Sequence, residues 1–274
     1  MRIANNFFAI SVLILASYQF LLTSSSPFDI LLGIMEKNEL KEETIKSSEV
    51  VVTKDKDIEE MLKAGLHFGH RKDKKHSRME PFIYGTRNDI SLIDVSQTKE
   101  YLQKATEYLK QKKEKGAIIL FVGTKITAKE MIKELAEKNG MPYMIERWLG
   151  GTLTNFEILS LQIKKLKEME EGEKKGEFKK YSKKEQLKIK QNLEKLKRKI
   201  GGLKTLQKLP DVLFAVDINK EKTAIKEAVK KGIPVVGICD TDGDPNLVDF
   251  PIPANDDAPS SLKYILDKVK KALK

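Results

Sequence analysis

A single cysteine, Cys239, stands in a chain of 274 residues. No intramolecular disulfide can form, and nothing else asks for an oxidising compartment. Histidine is also scarce. His67 and His70 flank Phe68-Gly69, with His76 further on. Neither H-E-x-x-H nor a cysteine pair accompanies them, so local hydrogen bonding is expected of them rather than metal binding. Gly123-Thr124-Lys125 lacks the earlier glycine that G-x-x-x-x-G-K-[ST] requires, and no G-x-G-x-x-G occurs there. A nucleotide-dependent enzyme on a doubly wound sheet stays an alternative without its phosphate loop, although backbone amides at that helix start can still hold a phosphate. Asp240, Asp242 and Asp244 begin like a calcium loop, but Pro245 and Pro251 stand where glycine and glutamate are needed. No Ser-His-Asp or Cys-His arrangement is legible. No catalytic residue, metal, cofactor or small-molecule substrate is expected.

What the chain does have is charge. Lys and Arg number 51 against 40 Asp and Glu, a net +11, which predicts attraction to a polyanion through counterion release. The excess is localised. Residues 156–208 hold 17 basic residues against 8 acidic ones, and Arg71–Arg78 (RKDKKHSR) holds five against one. With 40% hydrophobic residues the chain can also build a real core.

The N-terminus reads differently. Phe7 to Leu22 carries no charge and is preceded only by Arg2. The run is short for a membrane span and suits a signal-peptide core, but no clear A-x-A cleavage site follows. Translation starting at Met35 would make 1–34 upstream sequence. Residues 1–34 are therefore set apart as a hydrophobic leader and 35–57 as a flexible one. A membrane-anchored interaction protein is a further alternative.

The body alternates short apolar runs with amphipathic stretches, as a parallel sheet covered by helices requires. Strands are expected at Ile90–Asp94, Ala117–Val122, Tyr143–Ile145, Val212–Val216 and Pro234–Cys239. Helices are expected near Thr98–Glu114, Ala128–Lys138, Lys220–Lys231 and Asp257–Lys274. Thr127 with Glu130 fits a capping box, and Gly140 and Gly232 fall where helices should end. The alternation stops at 153–208. There Phe156, Leu159, Ile163 and Leu166 form one seam, and Leu193, Leu196, Ile200 and Leu203 another. Thr154 with Glu157 and Ser182 with Glu185 fit capping boxes that open each arm. Two seams that need covering, joined by a charged glycine-containing reversal, predict an antiparallel coiled-coil hairpin inserted in an α/β sheet domain of 58–152 and 209–274. Two ordinary core helices are the other way to cover such seams.

Arg147-Trp148-Leu149-Gly150-Gly151-Thr152-Leu153-Thr154-Asn155 is the most distinctive stretch. Its paired glycines suit a tight turn between sheet and hairpin. Arg147 reads as a ligand for RNA and Trp148 as packing beneath the turn. Together with His67-Phe68-Gly69-His70, Met79–Arg87 (MEPFIYGTR), Leu209–Asp217 (LPDVLFAVD) and Leu247–Asp257 (LVDFPIPANDD), this block resembles the family of small-subunit ribosomal protein two, from about Glu59 to the end. His76-Ser77 stands where that family commonly has Asn-Pro, and Asp242-Gly243 replaces Asn-Cys. The resemblance implies a flavodoxin-like parallel sheet of order 2-1-3-4-5 with an inserted hairpin. It further implies contact with small-subunit rRNA and docking of other small-subunit proteins, including ribosomal protein one, in a cytoplasmic ribosome. The basic residues expected to touch RNA are Arg71, Lys72, Lys74, Lys75, Arg78, Arg87, Lys125 and Arg147.

Overall fold

The computed structural model describes residues 56–274; the leader at 1–34 and nearly all of 35–57 lie outside them. A parallel sheet forms the centre, built from β4 (Ile119–Val122), β5 (Tyr143–Met144), β6 (Val212–Val216), β7 (Val235–Cys239) and β8 (Phe250–Pro253). Its spatial order is β5-β4-β6-β7-β8. Every residue of β4, β6 and β7 is buried, which is why these strands read as unbroken apolar runs.

Alternate side chains serve two layers. Ile119 and Phe121 face α2 (Val95–Glu114), α3 (Ile126–Lys138) and α7 (Pro259–Ala272), meeting Leu109, Ile132 and Ile265. Phe121 and Phe214 bring ring centroids to 5.4 Å across this layer. Leu120 and Val122 face the other way, toward α6 (Lys222–Lys230) and toward Met79, Trp148 and Leu153. A short helix, α1 (Lys56–Ala64), precedes the sheet and begins inside the expected flexible leader.

Several expectations are corrected. Ile90–Asp94 does not join the parallel sheet. As β3 (Ile90–Ile93) it is the central strand of a separate antiparallel sheet, between β1 (Phe68–Arg71) and β2 (Ile83–Arg87). Asn88 and Asp89, at φ 49° and 61°, make the two-residue turn that joins β2 to β3, because both positions need the left-handed region. The fifth parallel strand is β8, absent from the sequence reading because Pro251 and Pro253 argue against a strand. At the sheet edge such prolines need not donate to a further neighbour. Thr127 does not cap α3, which starts one residue before it; its hydroxyl is buried without a hydrogen-bond partner among the described residues.

The 153–208 region forms two helices, α4 (Phe156–Lys174) and α5 (Lys183–Ile200). Ser182 and Glu185 make the reciprocal capping box that opens α5. Thr154 makes no such box, because α4 starts one residue later with Asn155 at its N-cap; the Thr154 hydroxyl donates to Glu227 instead. Leu159, Ile163, Leu166, Leu193 and Ile200 are buried, and their cluster runs without a break through Leu203 and Leu206 into the sheet. Lys197 pairs with Glu173 at 3.3 Å, linking the helices outside the seam.

Candidate nucleic-acid interface

Four of the five basic residues in Arg71–Arg78 have a carboxylate partner. Arg71 lies 3.7 Å from Asp73, Lys72 2.7 Å from Asp89 and Arg78 2.7 Å from Asp244, and Lys75 contacts Glu80. Lys74 makes no close ion pair, its charge acting only through space on Asp257, and Arg87 has no acidic partner among the described residues; both are exposed. Backbone bonds fix the segment. His70 N–H donates to Thr241 Oγ1 and His76 N–H to Thr241 O, each at 2.8 Å. Gly69 permits this approach, since a Cβ there would lie 2.4 Å from the Thr241 methyl. The basic segment is therefore a surface docked on the loop after β7. Its surface pairs weaken its field only modestly, because exposed ion pairs are loose and screened.

Lys125 faces inward. Its ammonium lies 2.6 Å from Asp256 and 3.5 Å from Asp217, and also contacts Asp257. These acids sit at the carboxyl ends of β6 and β8, so Lys125 pins together loops that are far apart in sequence. Asp240 and Asp256 are buried. Burial pushes the Asp256 carboxyl up to about 8, with the Asp217 and Asp240 charges adding to it and Lys125 opposing. His70, Asp240 and Asp256 offer ligand atoms within 4.8 Å of one another, whereas His67 packs on Phe68 at a centroid distance of 3.9 Å. Sequence spacing pairs His67 with His70; geometry instead groups His70 with the aspartates.

A pH dependence follows from Asp256. Its folded value is raised, so the folded state holds the proton that the unfolded chain releases between pH 4 and 8, and stability falls across that window. Asp256→Asn should remove the penalty. Calorimetry should find the variant gaining about 5 °C on the native protein between pH 5 and pH 9. The same melting difference at both pH values would contradict the assignment.

By sequence alone, the amide start of α3 can hold a phosphate. In the structure the Thr124 N–H donates to Glu221 Oε1 at 3.0 Å. Glu221 is buried, and burial raises its pKa. A carboxylate of the chain thus occupies the crevice where doubly wound sheets hold nucleotide phosphates. Beside it, Thr124, Lys129, Glu146, Arg147, Trp148 and Lys220 help line an open crevice of about 610 Å³. Lys129 pairs with Glu146 at 3.3 Å. Arg147 is exposed with no acidic partner among the described residues.

Glu227 is the residue the sequence reading missed. On α6 it looks like an ordinary helical glutamate, yet it is buried beneath the Trp148–Thr154 turn. One oxygen accepts Trp148 Nε1–H at 3.1 Å and Gly151 N–H at 2.8 Å. The other accepts Leu153 N–H at 3.0 Å, Thr154 N–H at 3.1 Å and the Thr154 hydroxyl at 3.2 Å. Burial alone would raise its pKa; the donors outweigh that and hold the carboxyl below its ordinary range. Gly151, at φ 92°, supplies the turn that only glycine adopts freely. The turn bearing Arg147 is thus set by one carboxylate.

Fold and site define an α/β scaffold protein with a rigidly seated basic surface. The sequence profile described as ribosomal protein S2 matches residues 61–274. The small ribosomal subunit protein uS2 of Coprothermobacter proteolyticus is 46% identical over 216 residues, 79% of this chain and 81% of that relative. The chain belongs to the ribosomal protein S2 family, whose members are structural components rather than enzymes.

Proposed function

We propose that this chain is a structural constituent of the small ribosomal subunit that binds rRNA through Arg71, Lys72, Lys74, Lys75, Arg78, Arg87 and Arg147. The observation that carries the reading is that Arg87 and Arg147 are exposed without acidic partners among the described residues, and Lys74 is exposed outside any close ion pair, on a +11 chain of this family. Phosphates give such a surface its affinity, while the docked backbone of 70–76 gives it position. Lys125 acts from beneath, holding the loops that seat the basic segment. We read the five-strand sheet as flavodoxin-like, order 2-1-3-4-5 counted along its own strands. We read α4 and α5 as an inserted coiled-coil hairpin that lends a basic flank. Neighbouring small-subunit proteins, ribosomal protein one among them, are the protein partners in a cytoplasmic, ribosome-associated setting. No helix among the described residues is long and apolar enough to cross a membrane.

The test is sedimentation of the purified chain with small subunits stripped of their own copy. Binding at low salt should fall by about 10³-fold or more between 50 and 200 mM as counterion release weakens. Absence of binding even at low salt would reject the reading.

A further inference from the structure

Cross-strand partners in the antiparallel sheet share a face. The rows through Ile93 and Ser91 face the core, since both are buried. The alternate rows, Phe68–Leu92–Gly85 and Arg71–Ile90–Arg87, face outward. They place a half-exposed Phe68 and two exposed arginines on one surface. Strand β2 also carries one extra residue between Ile83 and Gly85, against a single step on β3. That residue is Tyr84, and it is 82% exposed. A β-bulge takes its residue out of the ladder and re-aims the side chain. Among the described residues Tyr84 makes no ring contact, cation–π contact or side-chain hydrogen bond. Arg87 follows three positions along the same strand, about 10 Å away.

Isolated exposed apolar residues are ordinary. What needs a reason is a tyrosine raised on a bulge next to arginines, one of which has no acid to neutralise it. We propose that Tyr84 is a stacking platform for one unpaired rRNA base, with Arg87 and Arg71 holding the flanking phosphates. The inference rests on the rRNA reading above and adds a base contact to a phosphate surface. The charge selects the occupant. An apolar peptide would want more apolar surface than this face offers, and its arginines would stay unmatched. A duplex keeps its bases stacked on both sides, so only an unpaired base can present a free π-face to the ring.

The test uses the full chain and small subunits stripped of their own copy. Tyr84→Ala and Tyr84→Leu should each bind about tenfold more weakly at one fixed salt concentration. Their salt dependence should match the native protein's, because no phosphate contact is lost. Tyr84→Phe should bind like the native chain, since the ring acts and the hydroxyl does not. Tyr84→Trp should also bind, with its emission quenched in the complex against the constant background of buried Trp148. Unchanged melting temperatures check that each variant folds. If Tyr84→Ala binds as tightly as the native chain, this inference fails alone. If Tyr84→Leu matches Tyr84→Phe, the contact is merely apolar and stacking is rejected. If the native chain does not bind, the rRNA reading fails and this inference with it.

Discussion

Replacing Glu227 with alanine should lower the melting temperature by roughly 10 °C, the largest loss expected from any single polar side chain here. Five donors converge on its carboxylate: Trp148 Nε1–H, three backbone N–H groups and the Thr154 hydroxyl. Alanine would leave these without acceptors in a buried site. Each stranded buried donor costs about 1–3 kcal/mol before relaxation. Partial collapse and water entry bring the sum to about 3–5 kcal/mol, the usual cost of breaking a buried charged contact. Glu227→Gln keeps the shape but turns an amide N–H₂ toward N–H donors, so it should recover less than half of the loss. The pH dependence is a second signature. The folded protein holds Glu227 below its ordinary value. Its contribution is therefore complete above the unfolded value, near pH 4.5, and is lost as pH falls through the folded value. The melting gap between Glu227→Ala and the native chain should be full at pH 7 and narrow on acidification. A gap below about 2 °C at pH 7 would mean that the turn stands without the carboxylate.

Glu227 also shows where sequence reading ends. In KTAIKEAVK it occupies a position any amphipathic helix could give to solvent. Its burial comes from the Trp148–Thr154 turn, more than seventy residues earlier. Lys125 is a second such case. A lysine at a helix start reads as a phosphate ligand, while the aspartates that capture it come from the ends of β6 and β8, up to 132 positions away. By contrast β4, β6 and β7 were legible, because burial on both faces leaves an unbroken apolar run that no polar residue interrupts. Ile90–Ile93 was legible as a strand but not as to its sheet, since a short apolar run says nothing about its neighbours. The turn at Asn88-Asp89 held that information locally, in two residues that tolerate the left-handed region. β8 was hidden by prolines that only its edge position excuses.

The second large effect concerns how the chain is attached. The basic residues of α5 are numerous but spread along a helix, and Lys197 is already paired with Glu173. Arg71, Lys74 and Arg87 lie close to one docked surface, and Arg87 has no acid among the described residues to compete with a phosphate. Arg71 and Arg87 flank Ile90 in one cross-strand row. Several phosphates can thus be met at once by groups whose backbone is already fixed, with little ordering entropy left to lose. The triple variant Arg71→Glu, Lys74→Glu, Arg87→Glu should therefore bind stripped small subunits about 100-fold more weakly near physiological salt. Its log–log salt slope should be shallower by about 3, one for each lost contact. The matched arm variant Lys195→Glu, Arg198→Glu, Lys199→Glu carries the same change in net charge, so it controls for general repulsion. It should lose no more than about fivefold and keep most of the native slope. The deciding measurement is subunit occupancy of the two triple variants and the native chain across one salt series, after melting curves show all three folded. Attachment through the docked sheet surface predicts the large loss and shallow slope only in the Arg71, Lys74, Arg87 variant. Equal losses, or a greater loss from the α5 variant, would contradict it and make the helical arm the principal anchor.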